Sequence, residues 1–94
     1  MFHLLASYHL ADAGSLCSDE GTLPVTDINE CRTAFPDIQR EDPNAADKIS
    51  QDNGWNNHPK GCFLHTPNHN VVWNMHSTGS ENIDDRHVCK SRGK

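Results

Sequence analysis

The residues best suited to chemistry lie in the stretch GCFLHTPNHNVVWNMH, at positions 61 to 76. This stretch contains Cys62 and the histidines His65, His69 and His76. Thiolates and imidazoles are zinc ligands, and zinc sites often place two of them close together in the sequence. One hypothesis is therefore a zinc-binding protein or a metal-dependent enzyme that uses His65, His69 and His76.

The secondary structure expected around these residues favours a different interpretation. Residues 62–65 and 71–75 are β-prone runs, and the Thr-Pro-Asn-His-Asn segment between them has the composition of a hairpin loop. Alternate side chains of a strand share a face, so Cys62 and His65 are expected on opposite faces. The histidines are then spread over strand faces and a loop, and the pattern does not require them to converge.

A second candidate site surrounds Trp55, which is followed directly by Asn56, Asn57 and His58. An exposed indole among amide side chains can support the apolar face of a sugar, so these four residues form a candidate ligand-binding site for a glycan. The competing interpretation is a tryptophan that closes over a small core.

The charge balance bears on the partners. Thirteen acidic side chains against eight basic ones give a formal net charge of -5, which opposes contact with phosphate backbones, so we expect no nucleic-acid partner. No run of 18 apolar residues occurs, so the chain is not expected to span a membrane.

The cysteines indicate how a chain of this size is stabilised. Only 34% of the 94 residues are hydrophobic, which provides a small core. The four cysteines are widely separated and form no CxxC pair, which favours two disulfides over a zinc site. Each disulfide typically stabilises by about 2–4 kcal/mol, and disulfides imply an oxidising compartment, either extracellular or an organelle lumen.

The remaining patterns predict an α+β domain in which one helix packs on a short antiparallel sheet with long polar loops. Asp27 and Glu30 form an Asp version of a capping box, which predicts a helix from about residue 27 to residue 35, and Pro36 is expected to end it. Residues 37–60 form a polar loop with a possible helical turn at 45–51, and residues 86–90 form a last strand.

The first fourteen residues are treated separately. They lack the basic start and the uninterrupted apolar run of a signal peptide. The apolar side chains of Leu4, Leu5, Tyr8 and Leu10 fit one face of a short helix or an irregular strand that packs on the domain. Residues 1–14 are therefore predicted to be an N-terminal extension or docking segment, and residues 15–94 a single small disulfide-type domain.

Several short motifs carry a resemblance to known sequences. They are Glu30-Cys31, Pro59-x-Gly61-Cys62, Val72-Trp73-Asn74, Gly79-Ser80 and Val88-Cys89-Lys90. Together they resemble a small cysteine-paired module of predicted proteins from dinoflagellates and other marine algae, whose function is uncharacterised. A helix cysteine followed by a strand cysteine is also similar in layout to PAN/apple domains, which bind proteins or carbohydrates. This resemblance implies that Cys31 pairs with Cys62 and Cys17 with Cys89, one of three possible connectivities.

These observations predict a non-enzymatic, disulfide-stabilised structural or interaction module without a cofactor that acts through its surface loops. Its expected partner is a protein or a larger assembly, with a glycan as a further possibility. The algal resemblance adds an alternative: a small extrinsic accessory subunit of a membrane assembly such as a photosystem, in the thylakoid lumen. The zinc hypothesis is the alternative from a different functional class.

Overall fold

In the computed structural model, which describes residues 7–91, one α-helix packs on a curled, mixed sheet of six strands. The elements in chain order are β1 (Tyr8–Leu10), a 3-10 helix (Cys17–Glu20), β2 (Leu23–Pro24), α1 (Ile28–Glu41), β3 (Ala46–Asp47), β4 (Pro59–His65), β5 (Asn70–Gly79) and β6 (Asp85–Lys90). The predicted α+β class with a small disulfide-stabilised sheet is confirmed.

The sheet has the strand order β1-β6-β4-β5-β3, and β2 pairs with β6 as well. The predicted hairpin is β4 and β5, joined by a turn at residues 66–69. The predicted last strand is β6, which lies antiparallel to β4 and to β1. Only β3 pairs in the parallel sense, with the start of β5, so the described sheet is mixed rather than purely antiparallel.

Helix α1 begins as predicted but ends later than predicted. The Asp27 carboxylate accepts a hydrogen bond of 2.8 Å from the N–H of Glu30, which caps the first turn. The expectation that Pro36 ends the helix is wrong, since α1 continues to Glu41. Proline has no N–H, so Pro36 cannot donate to the carbonyl of Arg32. Pro36 and Arg32 are both exposed, so this carbonyl lies on the solvent side of the helix. Ile38 continues the buried face.

The last turns of α1 hold the edge strand β1. A carboxylate oxygen of Asp37 accepts from the N–H of Tyr8 at 3.0 Å, and one of Glu41 accepts from the N–H of Leu10 at 3.2 Å. These contacts occupy backbone donors that an edge strand would otherwise expose. Residues 8–10 of the predicted N-terminal extension therefore form part of the sheet, whereas residues 1–6, with Leu4 and Leu5, lie outside the described range.

The predicted helical turn at residues 45–51 is not present. Ala46 and Asp47 form β3, in which the N–H of Ala46 donates to the carbonyl of His69 and the N–H of Lys48 donates to that of Val71. The open edge of β5 offers these backbone partners, and pairing with it outweighs the weak local preference for helix.

The two disulfides join the helical layer to the sheet and close the ends of the domain. Cys31 of α1 bonds to Cys62 of β4, and Cys17 bonds to Cys89 of β6. This is the connectivity that the PAN/apple resemblance implies. Around the first bond, the core between α1 and the sheet contains Ala34, Ile38, Leu64, Val71 and Val88. Among residues 7–91, no helix is both long and apolar enough to cross a membrane.

Candidate functional site

The sheet face opposite α1 carries the candidate site, and residues 53–59 cover part of this face. Asn74 of β5 holds this covering segment in place and is fully buried. Its Oδ1 accepts from the N–H of Trp55 at 2.8 Å, and its Nδ2 donates to the carbonyls of Trp55 and Pro59, each at 2.8 Å. Because one side chain forms hydrogen bonds with the backbone at Trp55 and at Pro59, the positions of Trp55 and His58 above the sheet are fixed.

The centre of the site is a carboxylate shared by two histidines. His65 at the end of β4 lies opposite Asp85 at the start of β6 in the strand register. The Nδ1 of His65 is 2.6 Å from one oxygen of Asp85, and the Nδ1 of His58 is 2.6 Å from the other oxygen. The Asp85 side chain is 0% exposed, whereas the side chains of His58 and His65 are 20% and 26% exposed.

Aromatic contacts hold the two imidazoles at a defined angle. The ring of His58 stacks on Phe63 with centroids 5.6 Å apart and planes inclined by 13°. The His58 and His65 rings are perpendicular, with centroids 5.2 Å apart. Trp55 meets both His58 and Phe63 edge-on. Ring packing and the shared carboxylate therefore restrict both histidines.

A hollow of about 200 Å³ opens beside this cluster. It is lined by Trp55, His58, Phe63, His65, Asn68, Asn70 and Val72. The lining combines the apolar surfaces of Trp55, Phe63 and Val72 with two asparagines and two histidines. Such a mixture of a flat apolar wall with a few hydrogen-bonding groups is typical of small-molecule sites.

The residues predicted around Trp55 divide between the hollow and the surface. Trp55 and His58 line the hollow. Asn56 and Asn57 are exposed and do not line it, although the carbonyl of Asn57 accepts from Asn82 at 3.1 Å. Half of the predicted group therefore belongs to the site that the structure forms.

The predicted set of His65, His69 and His76 is not brought together. Among the described residues, the one cluster with ligand atoms close enough to hold a metal consists of His58, His65 and Asp85. His69 instead pairs with Asp42 at 2.6 Å, and the Nδ1 of His76 accepts from the N–H of Gly79 at 2.9 Å. Cys62 points to the helix side within a disulfide, as the strand alternation predicts, and offers no thiolate.

Asp85, Phe63, Asn68 and Asn70 are site residues that the sequence did not reveal. The pair Asp84-Asp85 has the composition of a solvated loop, and Asp84 is indeed exposed. The alternation of β6 places Asp85 and Val88 on opposite faces, which gives a carboxylate on the face opposite the core. The alternation of side chains along β6 does not show which strand lies beside Asp85.

Two further groups of charged side chains have shifted pKa values. The hydrogen bond from His69 holds the pKa of Asp42 below its ordinary value. Burial opposes the ionisation of Glu30, but hydrogen bonds from Lys90, the N–H of Thr26 and Tyr8 outweigh it and lower the pKa of Glu30. Neither group lines the hollow, and both connect α1 or the loop after it to other parts of the fold.

No protein-family profile, curated protein or solved structure matches this chain. The site geometry and the disulfide framework are therefore the basis for a functional assignment.

Proposed function

We propose that the protein is a non-enzymatic, disulfide-stabilised interaction module that binds a carbohydrate group through the hollow beside Trp55. The observation that carries this proposal is the lining of the hollow, which combines an indole with two asparagine amides and two imidazoles. The sugar is proposed as a terminal residue of a glycan on a protein or a larger assembly, so a macromolecule is the partner.

The lining groups suit the two sides of a sugar ring. The half-buried Trp55 offers apolar ring surface for the C–H groups of a pyranose. Asn70 carries both a donor and an acceptor, and Asn68, whose Oδ1 accepts from the N–H of Asn70 at 3.0 Å, adds its amide donor, which matches hydroxyl groups that donate and accept. The hollow, at about 200 Å³, is smaller than the pockets that enclose drug-sized ligands, which favours a single sugar ring.

The cellular setting follows in part from the disulfides. Two disulfides indicate an oxidising environment. Within that class we propose an extracellular or lumenal location, which is where glycans are displayed. The accessory-subunit alternative in an algal thylakoid lumen is supported by the sequence resemblance alone, so the carbohydrate proposal ranks above it.

The test is a saccharide titration of the oxidised, ¹⁵N-labelled protein followed by backbone and indole NMR shifts. A panel of monosaccharides and short glycans is expected to contain a ligand that shifts Trp55, Asn68 and Asn70. Trp55→Ala should abolish these shifts, since it removes the apolar wall.

Trp73→Ala is the matched control. Trp73 lies on the helix side of β5 and lines a different hollow, so this variant should be less stable yet retain saccharide binding. The proposal is overturned if no saccharide in the panel perturbs the lining residues, or if Trp55→Ala binds as well as the unmodified chain.

A further inference from the structure

We infer that His58, His65 and Asp85 form a binding site for a zinc ion at the edge of the hollow. The three side chains come from the segment before β4, the end of β4 and the start of β6. Their ligand atoms all lie within 4.8 Å of one another. This inference does not rest on the proposed carbohydrate binding, because it concerns the convergence of three side chains and requires no organic ligand.

The geometry of the cluster is close to that of a metal site. Both Nδ1 atoms point at the same carboxylate, each at 2.6 Å from a different oxygen. Zinc bonds of about 2.0 Å in a tetrahedral site place ligand atoms about 3.3 Å apart. To hold the ion, each Nδ1 atom must move about 0.7 Å away from its carboxylate oxygen, and ligand atoms at the 4.8 Å limit must approach by about 1.5 Å, with each imidazole taking the tautomer that carries its proton on Nε2.

Two features favour such a movement. His58 precedes β4 rather than lying within a strand, so a small shift of its ring leaves the register of β4 and β6 unchanged. The two rings are perpendicular, with centroids 5.2 Å apart, and their Nδ1 atoms contact the two oxygens of one carboxylate, so both are already directed at the group that would share the ion.

The charge of the cluster gives a second, independent argument. Asp85 is 1% exposed, and within residues 7–91 its side chain has no lysine or arginine partner, only the two histidines. An ionised carboxylate without water is costly unless a positive charge or several hydrogen bonds compensate it. A divalent cation held by the two neutral imidazoles would supply that charge at the carboxylate.

The donor set selects the class of metal. Two imidazoles and one carboxylate suit zinc and neighbouring transition ions, whereas calcium and magnesium prefer sites made of oxygen alone. All four cysteines are in disulfides, so the cluster is a nitrogen and oxygen site. Three protein ligands leave one tetrahedral position for a water molecule or an external ligand.

The test uses the oxidised full-length chain, stripped with a chelator and titrated with Zn²⁺ by calorimetry. Co²⁺ serves as a spectroscopic substitute, since its visible absorption reports coordination number and the absence of thiolate ligands. We expect one ion per chain. His58→Gln, His65→Gln and Asp85→Asn should each weaken binding at least about 100-fold, the upper end of the loss seen when supporting residues of a metal site are removed.

His69→Gln is the matched control, because His69 also pairs with a carboxylate at 2.6 Å but without a second histidine. This variant should bind Zn²⁺ like the unmodified chain. Because His58 stacks on Phe63 and contacts Asp85, the fold of His58→Gln is checked directly: its backbone NMR spectrum should match that of the unmodified chain outside the residues around the site. Failure to bind one Zn²⁺, retention of binding in the His58→Gln/His65→Gln double variant, or loss of binding in His69→Gln would each overturn the inference.

Discussion

At the scale of single residues, Asn74 connects β5 to the segment that covers the site. It is fully buried, its amide exchanges hydrogen bonds with the backbone of Trp55 and donates to the carbonyl of Pro59, and its Oδ1 also accepts from the N–H of His76 at 3.2 Å. Asn74 is therefore a positioning residue, which acts on the site through the segment that carries Trp55 and His58. Its position in the Val72-Trp73-Asn74 motif gives that motif a physical role.

Replacing Asn74 tests this role. Asn74→Ala leaves several buried backbone groups without a partner, so the free energy of unfolding should fall by about 2–4 kcal/mol. The loss is measured by urea denaturation of the oxidised protein. Asn29→Ala is the control, since Asn29 is exposed on α1 and should change stability by less than about 0.5 kcal/mol. Equal effects of the two variants would contradict the role of Asn74.

The pair of Asp42 and His69 predicts a pH dependence. Because the pKa of Asp42 is lowered in the folded state, its ionised form stabilises the fold above the ordinary aspartate pKa of about 3.9, and this contribution is lost as the pH falls through the lower folded pKa. His69 is 43% exposed, so solvent screening limits the contribution to below about 1 kcal/mol.

The measurement compares Asp42→Asn with the unmodified chain across pH. The variant should unfold at lower urea concentration at pH 6 to 7, and the difference should disappear near pH 2, where both chains carry a neutral side chain at this position. A difference that grows on acidification would show that the sign is wrong.

At the scale of elements, the packing of the β5 end against the start of β4 controls His58. Gly79 has a φ of 61°, and a Cβ built there would lie 2.5 Å from the carbonyl oxygen of His58 and 2.6 Å from the N–H nitrogen of Lys60. These are backbone atoms, so they cannot rotate away. Only glycine permits the close approach of the two strands that sets the height of His58 above the sheet.

Gly79→Ala should therefore destabilise the domain by at least about 2 kcal/mol and shift the amide NMR signals of residues 58–60. Gly54→Ala is the matched control, because Gly54 lies in the segment that covers the site, has no neighbour within 4 Å of the added Cβ and has no positive φ. Thermal unfolding of both variants measures the difference. If Gly79→Ala is as stable as Gly54→Ala, the close approach is not a constraint.

The extension of α1 beyond Pro36 is a second feature at this scale. It brings Asp37 and Glu41 to the backbone of β1, so helix and edge strand depend on each other. Pro36 costs the helix one hydrogen bond on its exposed side, and the burial of Ile38 together with these two contacts offsets that cost.

At the scale of the whole molecule, the disulfides supply a large part of the stability. They close sequence separations of 72 and 31 residues. The chain-entropy relation assigns them about 4.4 and about 3.7 kcal/mol. A domain of this length has a total stability of about 5–14 kcal/mol, so the reduced chain retains little margin.

The prediction is that Cys17→Ala/Cys89→Ala and Cys31→Ala/Cys62→Ala each lower the free energy of unfolding by about 2–5 kcal/mol, and that full reduction unfolds the chain at room temperature. Far-UV circular dichroism with and without a reductant, combined with urea titration of each pair variant, measures both effects. A reduced chain that stays folded with unchanged stability would show that burial alone suffices.

The sequence by itself determined the features that arise from neighbouring residues or from composition. The cap at Asp27, the hairpin of β4 and β5, the opposite faces of Cys62 and His65, and the disulfide-stabilised α+β class all follow from such local rules. The disulfide connectivity came from resemblance, since four cysteines permit three pairings.

The tertiary structure alone decided which of these residues meet. The sequence places Trp55 and His58 in one candidate site and His65 in another, but the partner Asp85 lies twenty residues beyond His65 and reaches it only through the register of β6 beside β4. Contacts of this kind depend on the burial of Leu64 and Val88 against α1, a property of the assembled core. The same packing extended α1 through Pro36, because long-range burial outweighed a local preference.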